Sequence, residues 1–506
     1  MVNKANAVLS GLSMLANTIR GLSVKHARLL YKACVVPILT YGSLLWFHGR
    51  RQKSLTGSLE KAQNVGLRWL LGAFKTTSIR SMEHLASIPP MHVHLHKLNA
   101  NAAIKLRALP RQFELARRLP KTWEAHDKAA IHTRRTKLAQ AYISPIKKLA
   151  ELSHPNAERR TPYLTDPWTP ENPYPERLTL LPFSHGKSKT TRVDTAKNAR
   201  RLIASLEDEG TLIGFADGSK KEVEGIRRVG IGYSITWKGE ELESYCRGIG
   251  PRADNYDAEM FAAALLAQQA VHLARERKID KVHLFSDNQS VVQTILSLKA
   301  HPAQLASIIF REEVLSYLNE SPDRSLTLQW IPGHSDISGN DRADQMADFG
   351  TQLVPTPIFE CTATWQKCHA TDEARATWLS IWNNAKRSEH SQRFIPNLPS
   401  LKLNKVFTEE PPPRRITSRL VQLITGHGFF GEYRNRLFPD ESPSCSCGES
   451  IQTVPHLLFH CPHTEAQRPI LSKVSPDLNP AFLFAKPKGL RAVYRFIEQS
   501  GIGRPI

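Results

Sequence analysis

A chain of 506 residues is too long for a single hydrophobic core, since cores stop growing at roughly 250–300 residues, and about three domains are expected. With 41% apolar and 23% charged residues it is not a disordered chain, and a net charge of +21 calls for a polyanionic partner, either nucleic acid or an anionic membrane surface. Seven cysteines, with Cys34, Cys246, Cys361 and Cys368 scattered, exclude a disulfide framework and predict an intracellular, reducing compartment.

The charge is unevenly spread. Residues 1–206 hold 34 basic and 11 acidic side chains, residues 207–350 hold 15 and 23, and the remainder 19 and 13. A phosphate-holding surface is therefore expected in the N-terminal part and carboxylate chemistry in the middle. Residues 1–125 read as a basic helical region, because VKHARLLYKA and SLEKAQNVGLRWLLGAF place apolar residues three and four apart. The apolar stretch from Ala33 to Phe47 contains Pro37 and falls short of the ~18–20 residues of a membrane span, so a buried helix pair and no membrane partner are expected. Asn6 to Ala16 is broken by Asn, Ser and Gly and does not read as a signal peptide. Residues 126–206 read as linker: seven prolines lie between Pro155 and Pro182, followed by the basic run HGKSKTTRVDTAKNARR.

Within residues 207–352 the period changes. TLIGFA, VGIGYSITW and ELESYCRGI predict a three-stranded meander; DAEMFAAALLAQQAVHLARERK predicts a long helix and KVHLFS a short strand. SVVQTIL and AQLASIIFREEVLSYLN follow as helices, LTLQWI as a strand and DRADQMADF as a closing helix. The expected fold class is α/β, a mixed five-stranded sheet with flanking helices. Residues 353–430 read as a helical connector with a TEEPPPRR breaker from Thr408 to Arg415, and residues 431–506 as a cysteine-containing tail.

Four carboxylates stand where such a sheet gathers side chains: Asp217 ending the first strand, Glu259 in the first turn of the long helix, Asp287 ending the apolar strand, and Asp344 starting the last helix. Brought together they would repel unless divalent cations neutralised them, and hard oxygen ligands select Mg²⁺, with Mn²⁺ as substitute. Such a cluster suits two-metal hydrolysis. Singly, each has a plain explanation as a turn or helix cap.

In order and context, FADGS, NYDAE, LFSDN and WIPGHSDISGNDRAD resemble the type 1 ribonuclease H family over roughly 140 residues. The resemblance implies a ribonuclease H-like fold and cleavage of the RNA strand of RNA/DNA hybrids. Asp217 would bridge two ions, Glu259 and Asp287 would hold one, Asp344 would complete the other, and His334 would assist proton transfer or product release. Asn255 would contact the RNA strand near the cut, with Ser219 a second substrate contact; a plain turn residue is the alternative for Asn255. Only one helix follows Leu296 before the last strand, so the separate basic handle of some bacterial relatives is absent.

The flanks carry two further resemblances. GLSMLANTIRGLS, PILTYGSLLW and GAFKTT resemble the region after the polymerase core in reverse transcriptases of non-LTR retrotransposons, although no Tyr/Phe-x-Asp-Asp box is present and no polymerase activity is expected. CSCGESIQTVPHLLFHC sets Cys445, Cys447, His456 and Cys461 at spacings that allow a Zn²⁺ knuckle, with His460 or His463 as alternative ligands. Two other readings compete with a hybrid nuclease. One is a non-catalytic nucleic-acid-binding remnant, the other a DNA-strand-transfer relative.

Overall fold

The computed structural model describes residues 1–47, 53–110, 112–114, 116, 157–166, 168–182, 189–386, 388–403, 407 and 412–504. The expected linker over 126–156 and the first part of the TEEPPPRR breaker lie outside them. The chain forms two compact units, residues 1–99 with 371–506, and residues 100–370.

Residues 100–370 contain a mixed six-stranded sheet in the order β1-β6-β5-β2-β3-β4. The strands are β1 (Leu178–Leu181), β2 (Leu212–Val223), β3 (Ile226–Trp237), β4 (Glu240–Gly248), β5 (Lys281–Ser286) and β6 (Ser325–Trp330). β2, β3 and β4 form the antiparallel meander, and β5 and β6 add to it in parallel. The expected five strands are present, and a sixth corrects the count. β1 comes from the stretch read as linker, where LTLL between Pro175 and Pro182 pairs in parallel with β6. A four-residue edge strand tolerates flanking prolines, which concealed it.

The basic run before the sheet also departs from a linker. It forms the helix α1 (Lys189–Asp208), whose Ala199, Leu202, Ile203 and Leu206 pack on Ile213, Phe215, Phe285, Ile331, Ile337 and Ala343. These apolar positions recur three and four apart, so one face is buried while the charges stay in water. The other helices fall where the periodicity places them: α2 (Asn255–Arg277), α3 (Gln289–Thr294), α4 (Gln304–Asn319) and α5 (Ser338–Gly350). α2 begins at a capping box, with Asp254 and Asp257 each accepting from the other's end of the turn. The fully buried Glu158 accepts from the backbone nitrogens of Gln304 (3.3 Å) and Ala363 (2.9 Å), tying chain before β1 to chain after α5 within this unit.

In the other unit, N-terminal and C-terminal residues share one core. Leu9, Tyr31, Leu67 and Leu70 cluster with Trp382, Ile416, Phe430, Cys461 and Phe496. The sequence division treated residues 1–125, 353–430 and 431–506 as separate segments. The buried Arg414 guanidinium shows how tightly they join, donating to the carbonyls of Asn17, Trp69 and Leu70 at 2.9, 2.5 and 2.6 Å. The stretch Val24–Trp46 is by length and composition alone long and apolar enough to cross a membrane, and as the expected helix pair requires it is broken at Gly42, in left-handed backbone between segments ending at Leu39 and starting at Ser43. Pro37 does not end it, because a π turn over Tyr31–Val35 has already shifted the hydrogen bonding by one residue. Val24, Ala27, Tyr31, Val35 and Leu39 form its buried stripe.

Candidate active site

β2 and β5 run in parallel with Ala216 opposite Ser286, so Asp217 and Asp287 are the next residue along each strand. Asp217 sits within β2, opposite Gly232, and not at the strand's end, because the β2–β3 hairpin continues to Val223. Glu259, the fifth residue of α2, reaches the same point from above the sheet. What allows it is Gly218: a Cβ there would lie 2.6 Å from the Glu259 backbone nitrogen, so only glycine lets helix and strand approach this closely. Ligand oxygens of Asp217, Glu259 and Asp287 lie within 4.8 Å of one another. Asp344, the seventh residue of α5 and not its first, is outside that group of three but accepts a hydrogen bond from the protonated Asp217.

The electrostatics follow from this crowding. Burial pushes the Asp217 carboxyl up to about 8, reinforced by the charge of Asp287 and by the hydrogen bond and charge of Asp344, against the opposing Gly218 amide. Burial also raises Glu259 well above the carboxylate range, with Asp217 and Asp287 adding to it and the amides of Asn288 and Asn255 opposing. Glu259 Oε1 accepts from Asn255 Nδ2 at 3.1 Å, whereas its buried Oε2 has no hydrogen-bond partner. An unpartnered buried carboxylate oxygen beside two more carboxylates fits a divalent cation and little else.

His334 lies on the loop between β6 and α5, exposed to solvent and in left-handed backbone with φ of 50°. Its neighbour Gly333 abuts the cluster, since a Cβ there would fall 2.0 Å from Asp287 Oδ2. Asn255 is at the cluster's edge, both a helix-start residue and a donor to Glu259. The Ser219 hydroxyl donates to Asp348 at 2.5 Å, and Asp348 is also bridged by Lys221 at 2.7 Å. Asp348 and Asn288 were not singled out from sequence. The spacing of Asp348 four residues beyond Asp344, on the same face of α5, was the available signal.

A second cluster lies in the other unit. Cys445, Cys447, His456 and Cys461 bring their ligand atoms within 4.8 Å of one another. The Cys445 and Cys461 sulfurs are 3.9 Å apart, close to the roughly 3.8 Å edge of a tetrahedron with 2.3 Å zinc–sulfur bonds. The Cys447 sulfur is 3.3 Å from His456 Nε2. Burial raises the Cys445 thiol, but donors from the Cys447 amide, Gln452, Cys447 and His456 outweigh it and bring it down to about 6. His460 and His463 are exposed and outside the group.

Residues 209–352 match the family model described as RNase H. A relative among characterised proteins is the retrovirus-related Pol polyprotein from type-1 retrotransposable element R1 of Popillia japonica, 39% identical over 92 residues. That match covers 18% of this chain and 33% of the relative, so the chain spans about a third of the polyprotein it matches. Among solved structures, RNase H1 of Halobacterium salinarum NRC-1 is 20% identical with a TM-score of 0.21, over 28% of this chain and 98% of that one. LC11-RNase H1 in complex with RNA/DNA hybrid is 19% identical with a TM-score of 0.22, over 28% of this chain and 98% of that one.

Proposed function

We propose that this chain, whose residues 209–352 match the RNase H family model, hydrolyses the RNA strand of RNA/DNA hybrids at the Asp217–Glu259–Asp287 cluster, with Asp344 as a fourth carboxylate beside Asp217. The observation that carries the reading is the buried, unpartnered Glu259 Oε2 within a set of carboxylates that repel one another. Asp217, Glu259, Asp287 and Asp344 would hold Mg²⁺ or Mn²⁺, which when bound supplies an activated water and neutralises the charge on the leaving oxygen. Glu259 is oriented by Asn255 and seated by Gly218. His334, exposed beside Asp287's neighbour Gly333, carries protons between the cleft and solvent. Hybrid is the proposed nucleic acid because residues 209–352 match the RNase H family model. The second cluster would hold one Zn²⁺ through Cys445, Cys447, His456 and Cys461, serving the fold of its unit. A complete carboxylate set argues against a non-catalytic remnant.

The test is Mg²⁺-dependent cleavage of a labelled RNA/DNA hybrid beside duplex DNA and duplex RNA. Cuts confined to the RNA of the hybrid, lost with EDTA, are expected. Equal cutting of duplex DNA, or none of hybrid, would overturn the reading.

A further inference from the structure

The carboxylate cluster is built by the RNase H match, yet the loop beside it is held from outside that match. Residues 331–337 run from β6 to α5, and both ends are buried, Ile331 and Ile337 lying in the apolar cluster that includes Ala199 of α1. Between them the chain passes so near Asp287 that a Cβ on Gly333 would fall 2.0 Å from the carboxylate. His334 and Asp336 hold left-handed φ angles of 50° and 54°, a conformation L-residues keep where their surroundings impose it. The support comes from α1. Nη1 of Arg200 donates to the carbonyl of Ser335 at 2.7 Å and to that of Asp336 at 3.3 Å. Arg200 follows Ala199, whose burial docks α1 on the cluster holding the loop's two ends, so helix packing aims the guanidinium at the loop's apex. Hydrogen bonds from a guanidinium cation are stronger than those between neutral groups.

We propose that Arg200 is a positioning residue for the nuclease reaction, fixing from α1 the loop that bounds Asp287 and presents His334. It rests on the reading of the cluster as an RNase H site. It also assigns α1, outside residues 209–352, a part in the site's geometry.

The experiment uses the full chain with Arg200→Ala and Arg200→Lys. In hybrid cleavage, Arg200→Ala is expected to lower kcat about tenfold with KM unchanged, as displacement of a positioned group does. Lysine, which can reach one carbonyl with its charge intact, is expected to recover part of the loss. A second readout is independent of activity: digestion by an endoproteinase that cuts before aspartate, following the Ser335–Asp336 bond by mass spectrometry. Arg200→Ala is expected to be cut there about tenfold faster than the parent. An unchanged rate of that cut, or parent kcat in Arg200→Ala, would overturn the proposal. So would equal losses in both variants accompanied by a lowered melting temperature, which would assign Arg200 to folding. A parent chain that fails to cleave hybrid sinks the nuclease reading, and the loop-cutting rate then decides separately whether Arg200 holds the loop.

Discussion

Gly218 and Glu259 meet where β2 and α2 cross, at a separation that leaves 2.6 Å between a Cβ on Gly218 and the Glu259 backbone nitrogen. The glycine after the first metal-ligand candidate therefore sets the position of the second. Gly218→Ala is expected to push α2 outward, costing about 1–3 kcal/mol by overpacking and most of the cleavage activity. Thermal unfolding and hybrid cleavage check it. Full activity with unchanged stability would mean that the close approach is not needed.

Much of this was legible in the sequence because the strands and helices of residues 212–350 alternate cleanly and the four carboxylates keep a distinctive order. The elements missed are those with weak local signal. β1 is four residues between prolines, and the buried face of α1 begins with Ala196 and Ala199, small residues set among charges. The union of the two chain ends was not legible either, since pairs such as Leu70 and Arg414 lie more than 300 residues apart. No window along the sequence reports a contact of that kind.

That union also changes how the cysteine cluster has to be tested. Cys445 and Cys461 belong to the core shared with Leu67, Leu70 and Phe430, so a fragment beginning near Phe438 would lack their packing partners. The full chain, purified reduced, is expected to carry about one equivalent of zinc, and Cys461→Ser to lose it and melt at lower temperature. Less than about half an equivalent in the parent would count against the site.

Truncation tests α1 and β1 within the sheet unit, since two chains that both lack residues 1–99 lose the core shared with residues 371–506 alike. Deleting residues 1–206 strips away β1 and α1 and exposes Phe215, Phe285 and Ile331, whereas deleting residues 1–156 keeps them. The shorter chain is expected to melt about 10 °C lower, from the loss of several apolar contacts. Both deletions remove 25 basic and 6 acidic residues over 1–156, so both should bind hybrid more weakly, with a flatter salt dependence. Equal melting temperatures would detach α1 from the domain, and an unchanged salt slope would make the N-terminal charge mere surface.

The raised carboxyl of Asp217 gives a pH dependence with a definite sign. In the metal-free fold it holds a proton up to about 8, while in the unfolded chain it loses it near 3.8. The folded state therefore binds more protons in that window, and the stability Asp217 contributes is full below 3.8 and lost as pH rises toward 8. Between pH 5 and 8 without metal, the melting temperature of the parent should fall more steeply than that of Asp217→Asn, which removes the titrating group. Saturating Mg²⁺, by replacing the proton, should flatten the parent's profile. Parallel profiles for parent and variant would refute the crowding argument.

His334→Ala is expected to reduce the cleavage rate without abolishing it, because on the proposed reading the exposed ring would move protons while the carboxylates would hold the metals. A complete loss would place His334 among the groups that hold the metal or the substrate, measured as kcat beside KM.

The most direct measurement is hybrid cleavage by Asp217→Asn and Asp287→Asn in the full chain with Mg²⁺. An amide nearly matches the carboxylate in shape but lacks its charge, so metal binding and water activation fail while the fold persists, because without metal Asp217 is already held protonated and a neutral amide stands in for a neutral acid. Both variants are expected to bind hybrid, unfold at or above the parent's temperature in the absence of metal, and cut nothing detectable. Cleavage by Asp217→Asn at close to the parent rate would contradict the two-metal site and the nuclease assignment with it.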